Sequence, residues 1–373
     1  MRSAGLITLL VIIIVQISVP AIMISPSYTG FSSMNYIYPS TKYYLNITIG
    51  GTITNEGNET ININETDLLV FDYPLNTSDQ EVLGVKAIAN GTEYNYTIIY
   101  GEDHNTLVIN ASDIENAVLE PGESIDSWVK YNVTVDMSKR TGPVMGLLST
   151  DIEYPEKAVK KSGEWKDINI TDEKYLNTTK MWNTTHPLVK LLYKYVRREM
   201  TVTNKPLAYL LAAIDWLDIN VVYSTRIPAR HPWEVIVEGA GDCDDQSNLL
   251  ITLLRAAGIP SYLEIGLLYL RNNFRHEHTE VNGLFHYTFI GGGGHGWVAA
   301  YIPPWGWIRI DMTSSMGKGF GHIKYAAYYL TPIVITSRVY KGDYAEQSAR
   351  FTENIRKTRL KYDIIVSILK YNP

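Results

Sequence analysis

Apolar and polar side chains alternate along the first part of the chain, with Leu45, Ile47 and Ile49 separated by polar residues. The same period returns at Ile125, Val129, Tyr131, Val133 and Val135, with Ser127 among them. A repeat of two predicts strands with one face buried. Turn chemistry at "TNEGNE", "ANGTE", "YGEDHN" and "EPGES" separates these runs, so residues 40–140 are expected to form an all-β, sandwich-like domain of immunoglobulin type. Residues 141–185 lack a clear period and read as a connector.

From residue 186 the period lengthens. Pro187 suits a first helical position, and Leu188, Leu191, Leu192 and Tyr195 are expected to share the buried face of that helix. A second helix is expected over "PLAYLLAAIDWLD", from Pro206 to Asp218. A third begins at Asp242, a good N-cap with Asp245 three positions on, and its Leu249, Leu250, Leu253, Leu254 and Ala257 form an apolar stripe. Gly258 ends that helix and Pro260 prevents its resumption. Strands are expected at Ser261–Leu270, Gly296–Ile302 and Gly306–Met312, with the polar and then glycine-rich stretch from Arg271 to Gly294 an excursion near the site. The stretch from Ala345 to Tyr371 reads as helical, so 336–373 is expected to be a C-terminal helical tail.

Composition narrows the function classes. An apolar content of 45% supports a folded chain, and 373 residues exceed one ordinary core. A net charge of -6 disfavours nucleic acid, since acidic chains repel phosphate. A lone cysteine permits no internal disulfide and no cysteine-rich metal site. His276 and His278 with Asp242, Asp244 and Asp245 match no standard metal-ligand spacing, so neither metal nor cofactor is expected.

The first residues bear on location. An apolar run from Leu6 to Ile24, broken by Gln16, Ser18 and Pro20, is nearly long enough to cross a ~30 Å hydrocarbon layer. Residues 1–30 are therefore expected to be a membrane anchor, or a signal peptide if cleaved. Eleven Asn-x-Ser/Thr sequons occur before residue 186 and none after it, which points to N-linked glycans on an outward-facing first half.

The candidate chemistry centres on Cys243, in the first turn of the third helix. Backbone N–H groups at a helix N-terminus favour a thiolate, whereas Asp242, Asp244 and Asp245 oppose it. Such a thiol needs a histidine to take its proton. His295 opens the strand "HGWVAAYI" behind four glycines, and Asp311 closes the strand "GWIRID" sixteen residues on. If the "PPWG" turn joins these as antiparallel neighbours, Asp311 can orient His295, giving nucleophile, base and orienter. A free cysteine can equally be a small buried hydrophobe. Trp233 and Tyr223 both remain possible as the second donor of an oxyanion hole.

Together, "GAGDCDDQSNLLITLLRAAGIP", "HGWVAAYI" and "GWIRIDMT" resemble the transglutaminase-like core, and the upstream "AAIDWLDINVVYS" is similar to its lead-in helix. The resemblance runs from about Leu207 to Ser315. It implies a papain-like α+β fold within 186–335 and a triad of Cys243, His295 and Asp311. Gly296 stands where Ala is common, and Met312 replaces the proline after the aspartate. The function implied is a thiol enzyme acting on a protein or peptide substrate, a peptidase or amidase if water accepts the acyl group and a cross-linking transglutaminase if an amine does. A surface-binding protein that keeps the fold without the chemistry is the alternative.

Overall fold

The computed structural model describes residues 42–373, apart from 64, 65, 67, 116, 271, 314–317 and 329–332. The apolar run at 6–24 lies outside the described residues, among which no helix is long and apolar enough to cross a membrane.

The alternating first part forms β1 (Lys42–Asn55), β2 (Gln80–Ala89) and β3 (Ser124–Asp136). Leu45, Ile47, Ile49, Val129, Tyr131, Val133 and Val135 are buried, as the period of two requires. The antiparallel register of β1 and β3 runs from Lys42 opposite Asp136 to Thr54 opposite Ser124. A separate three-stranded sheet of Val70–Tyr73, Asn105–Ile109 and Tyr96–Tyr100 contributes Phe71 and Leu107 to the same hydrophobic core.

The helices follow as α1 (Pro187–Glu199), α2 (Pro206–Asn220) and α3 (Cys243–Ala256). On α1 the buried face is Val189, Leu192 and Val196 at i, i+3 and i+7. Leu191 and Tyr195 are exposed instead, so the expected stripe was rotated by one residue. After α3, Gly258 takes φ +81, where a side chain would be strained, and the chain turns into β4 (Ser261–Tyr269). The segment 141–185 is more than a connector, since Leu147, Leu148, Val159 and Trp182 are buried. Arg255, at the end of α3, fastens it by donating to the carbonyls of Asn177 and Lys174 while also reaching those of Ser261 and Tyr340.

Two readings of the second half need correction. The stretch 271–294 is not an excursion: it forms strands Arg275–Glu280 and β5 (Phe285–Ile290), on which Phe285, Tyr287 and Phe289 are buried in alternation. Nor is the end of the chain a helical tail. It contains the strand β8 (Ile333–Val339) and the helix α4 (Tyr344–Thr358), and then, past Arg359 at φ +54, the strand β9 (Leu360–Tyr371). Leu360, Tyr362, Ile364, Val366 and Ile368 are its buried alternate residues.

These strands unite the two halves. Arg275–Glu280, β5, β9, β1, β3, β2 and Thr92–Tyr94 form one seven-stranded sheet in that order. β9 pairs antiparallel with β1 from Tyr44 opposite Tyr371 to Asn55 opposite Leu360, and parallel with β5. The second half also builds a four-stranded sheet in the order β7 (Gly306–Ile310), β6 (Gly292–Ile302), β4 and β8. At Gly292 an added Cβ would lie 1.9 Å from the Leu268 carbonyl oxygen, so the glycine run allows the close strand approach that precedes His295.

Candidate functional site

Cys243 opens α3, and the Asp242 carboxylate accepts from the Asp245 N–H as an N-cap while Asp245 reaches back to the Asp242 N–H. The backbone N–H of Gly296, next to His295, donates to the Cys243 sulfur. β6 and β7 are antiparallel, with Val298 opposite Ile310, which sets Asp311 one residue past the last pair and on the face of His295. Their side chains meet: His295 Nε2 lies 2.7 Å from Asp311 Oδ2, with exposures of 0% and 1%. The Thr313 N–H donates to the other Asp311 oxygen, fixing the carboxylate plane. With Nε2 committed to Asp311, Nδ1 is the ring nitrogen suited to exchange a proton with a thiol.

The three acids beside the thiol are not equivalent. Asp245 forms a buried ion pair with Arg230 at 2.7 Å and accepts from the Arg230 N–H at 2.6 Å. Burial and the Asp244 charge still push its carboxyl up to about 7. Asp242 is pushed well above the ordinary range by burial and by Asp244 and Asp245, and its carboxyl shares a hydrogen bond with Asp244. A raised Asp242 carboxyl tempers, without removing, the negative charge beside Cys243. Even so, burial and the charges of Asp242 and Asp244 push the thiol well above its usual range, against the opposing effect of the Gly296 N–H. A thiol held neutral in this way could act as a nucleophile only if an imidazole took its proton.

Asp244 is held from outside the helix. The Tyr344 hydroxyl, on α4, donates to Asp244 Oδ2 at 2.7 Å and accepts from the Asn248 amide at 2.6 Å, while Trp182 Nε1 donates to Asn248 Oδ1. All four side chains are buried, so segments flanking the helix in sequence control its first turn. Replacing Tyr344 by phenylalanine leaves a buried carboxylate without its donor. It is expected to cost about 1–3 kcal/mol in urea unfolding and to move the pH profile of Cys243 alkylation upward. A normal profile would mean that Tyr344 serves stability alone.

Tyr223 and Trp233, indistinguishable in the sequence, separate in space. Trp233 is stacked between His186 and His231 at centroid distances of 4.8 and 4.1 Å. Tyr223 lies in the field of Cys243 and Asp242, and its buried hydroxyl has no hydrogen-bond partner among the described residues. His276 and His278 sit on the strand Arg275–Glu280 apart from these acids. Asp242, Cys243 and Asp244 do bring three ligand-type atoms within 4.8 Å of one another, but the acids are already occupied as helix cap and Tyr344 acceptor.

Residues 189–312 match the family model of the Transglutaminase-like superfamily, so the chain carries a transglutaminase-like domain on a mixed α/β fold. Among solved structures, a candidate cysteine protease from Cytophaga hutchinsonii is similar at 16% identity and a TM-score of 0.51, over 90% of this chain and 92% of that one. The periplasmic domain of TgpA from Pseudomonas aeruginosa bound to ethylmercury matches at 13% identity and a TM-score of 0.28, over 77% and 92%. Red sea bream transglutaminase matches at 11% identity and a TM-score of 0.27, over 65% and 48%. The last two scores are too low to bear on the fold. No curated protein matches the chain.

Proposed function

We propose that the protein is a thiol acyl-transfer enzyme acting on amide bonds, with Cys243 as nucleophile, His295 as base and Asp311 as orienter. The observation that carries this reading is the buried His295–Asp311 pair at 2.7 Å, adjoining the Gly296 N–H that donates to the Cys243 sulfur. His295 Nδ1 takes the thiol proton as sulfur bonds to the carbonyl carbon. The resulting oxyanion is held by the Cys243 N–H and by the Tyr223 hydroxyl. The C–N bond then breaks, His295 returns the proton to the leaving amine, and a thioester remains. Water or an amine, deprotonated by His295, resolves it. Hydrolysis is the favoured outcome because water is always present, whereas an amine acceptor would have to be bound.

The protein is expected to face outward at a membrane. Nine sequon asparagines (46, 58, 76, 90, 95, 110, 132, 169 and 177) are exposed, Asn183 is half-buried, and Asn64 is outside the described residues. That exposure supports a glycan-bearing surface.

The test is to mix the purified protein with a peptide library and quench in acid, which preserves thioesters. Mass spectrometry should find an acyl adduct on the Cys243 peptide, and the released product should be the free acid even with a primary amine present. A reading without chemistry draws on the burial of Cys243, at 1% exposure. An unmodified Cys243 peptide together with slow, unselective alkylation at neutral pH would favour it.

A further inference from the structure

A cavity of about 230 Å³ lies away from Cys243. Its walls come from both halves of the chain: Asp79, Lys139 and Arg140 on one side, and Glu264, Arg309 and Arg338 from the four-stranded sheet on the other. It opens on the sheet face that carries His295, because Glu264 lies opposite Trp297, Ala299 opposite Arg309, and Gly266 opposite His295. Ala299, which lines it, is four residues beyond His295, or roughly 13 Å along the strand at ~3.3 Å per residue.

The cavity is built with a surplus of positive charge, four cationic side chains against two carboxylates. Glu264 accepts from Arg309 Nε at 2.6 Å and from Arg338 Nε at 3.2 Å, and Asp79 is paired with Arg140. Both carboxylates are buried, yet these arginines hold each at about 2, so both are ionised at neutral pH. Because Arg338 engages Glu264 through Nε, and its Nη nitrogens make no hydrogen bond among the described residues, an open fork of donors remains. A third of that side chain is exposed. Tyr175, Tyr262, Trp307 and Tyr340 form an aromatic wall beside it, with ring centroids 4.9 to 5.7 Å apart.

We propose that this cavity is a second binding site, for a small monocarboxylate with a flat apolar body. The carboxylate lies on the Arg338 and Arg309 guanidinium groups, and the body lies against the Tyr175–Trp307 wall. A planar fork matches a carboxylate, and flat rings match an aromatic face. A dianion fits less well because Asp79 and Glu264 stand ionised in the same wall. The volume, equal to that of roughly eight waters at ~30 Å³ each, suits a ligand of amino-acid size. Free acids and the carboxyl end of a peptide share this chemistry. The site stands independently of the acyl-transfer reading, because none of its residues touches Cys243.

Calorimetric titration of the full chain with phenylacetate tests it, with benzyl alcohol and inorganic phosphate as comparison probes. Phenylacetate is expected to bind saturably at one site, at least about tenfold tighter than either comparison probe. Arg338→Gln should weaken phenylacetate by a similar factor, and Cys243→Ala should leave it unchanged. Should Arg338→Gln not fold, Lys139→Ala, at an exposed position on the rim, is expected to weaken it about threefold. Competition by a Phe-terminated dipeptide but not by its C-terminal amide would identify a peptide end as the source, and no competition would identify free acids. Equal binding of benzyl alcohol, tighter binding of phosphate, or no saturable binding of phenylacetate would each overturn the proposal.

Discussion

In a His295→Ala protein, amide turnover is expected to fall by about 10⁴–10⁶-fold, as far as in Cys243→Ala, and the double variant should fall no further. The reason is mutual dependence. Burial and the charges of Asp242 and Asp244 push the Cys243 thiol up, so without an imidazole to receive its proton almost no nucleophile exists at neutral pH. Iodoacetamide alkylation against pH reads this directly. In the native protein the rate should rise at lower pH than in the variant. In His295→Ala the inflection should move above the ordinary thiol value of 9, the direction set by burial. Asp311→Ala should lie between, because the ring loses the acceptor at 2.7 Å that fixes Nε2. Equal profiles in all three proteins would remove His295 from the proposed chemistry.

Replacing Glu264 by glutamine is expected to destabilise the protein by about 3–5 kcal/mol at neutral pH, the usual cost of breaking a buried ion pair from one side. Glu264 is 1% exposed and serves Arg309, Arg338 and the Trp297 indole N–H at 2.9 Å. Burial alone would raise its carboxyl, but Arg309 and Arg338 hold it down to about 2 from an ordinary 4.5. A depressed carboxylate contributes stability that is fully present above the ordinary value and is lost as pH falls from 4.5 towards 2. The shift corresponds to roughly 3 kcal/mol. Urea unfolding at pH 7 and pH 3 should therefore show a large gap between native and Glu264→Gln proteins at pH 7 and a smaller one at pH 3. A gap that does not narrow would mean that the charge of Glu264 contributes little.

The parts of this molecule that were legible in the sequence are those whose signals are local. Asp242 and Asp245 make the cap of α3, and Gly258 and Pro260 its stop, because capping and left-handed turns depend on a few adjacent residues. His295 and Asp311 could be paired because a tight hairpin ties their strands together. What escaped depends on distant partners. "LKYDIIVSILKY" carries a period of two, but directly after a basic helical stretch it reads as more helix until β1 and β5 are seen on either side. Leu191 looks like core by spacing, yet α1 turns Val189, Leu192 and Val196 inward, and tertiary packing alone decides that rotation. Tyr344 and Arg230 carry no motif. Their partners Asp244 and Asp245 lie 100 and 15 residues away, so no pattern in the chain announces that they govern the charge around the thiol.

The pairing of β1 with β9 also sets a timetable. Tyr44 meets Tyr371 across more than three hundred residues, and β1 cannot complete its ladder until β9 has been made. At ~5–20 residues per second, synthesis of the intervening chain takes on the order of tens of seconds, during which one edge of β1 stays unpaired. Tyr344, which holds the first turn of α3, also follows that helix in synthesis. The first turn of α3 therefore acquires its finished surroundings only once residue 344, a hundred positions beyond it, has been added.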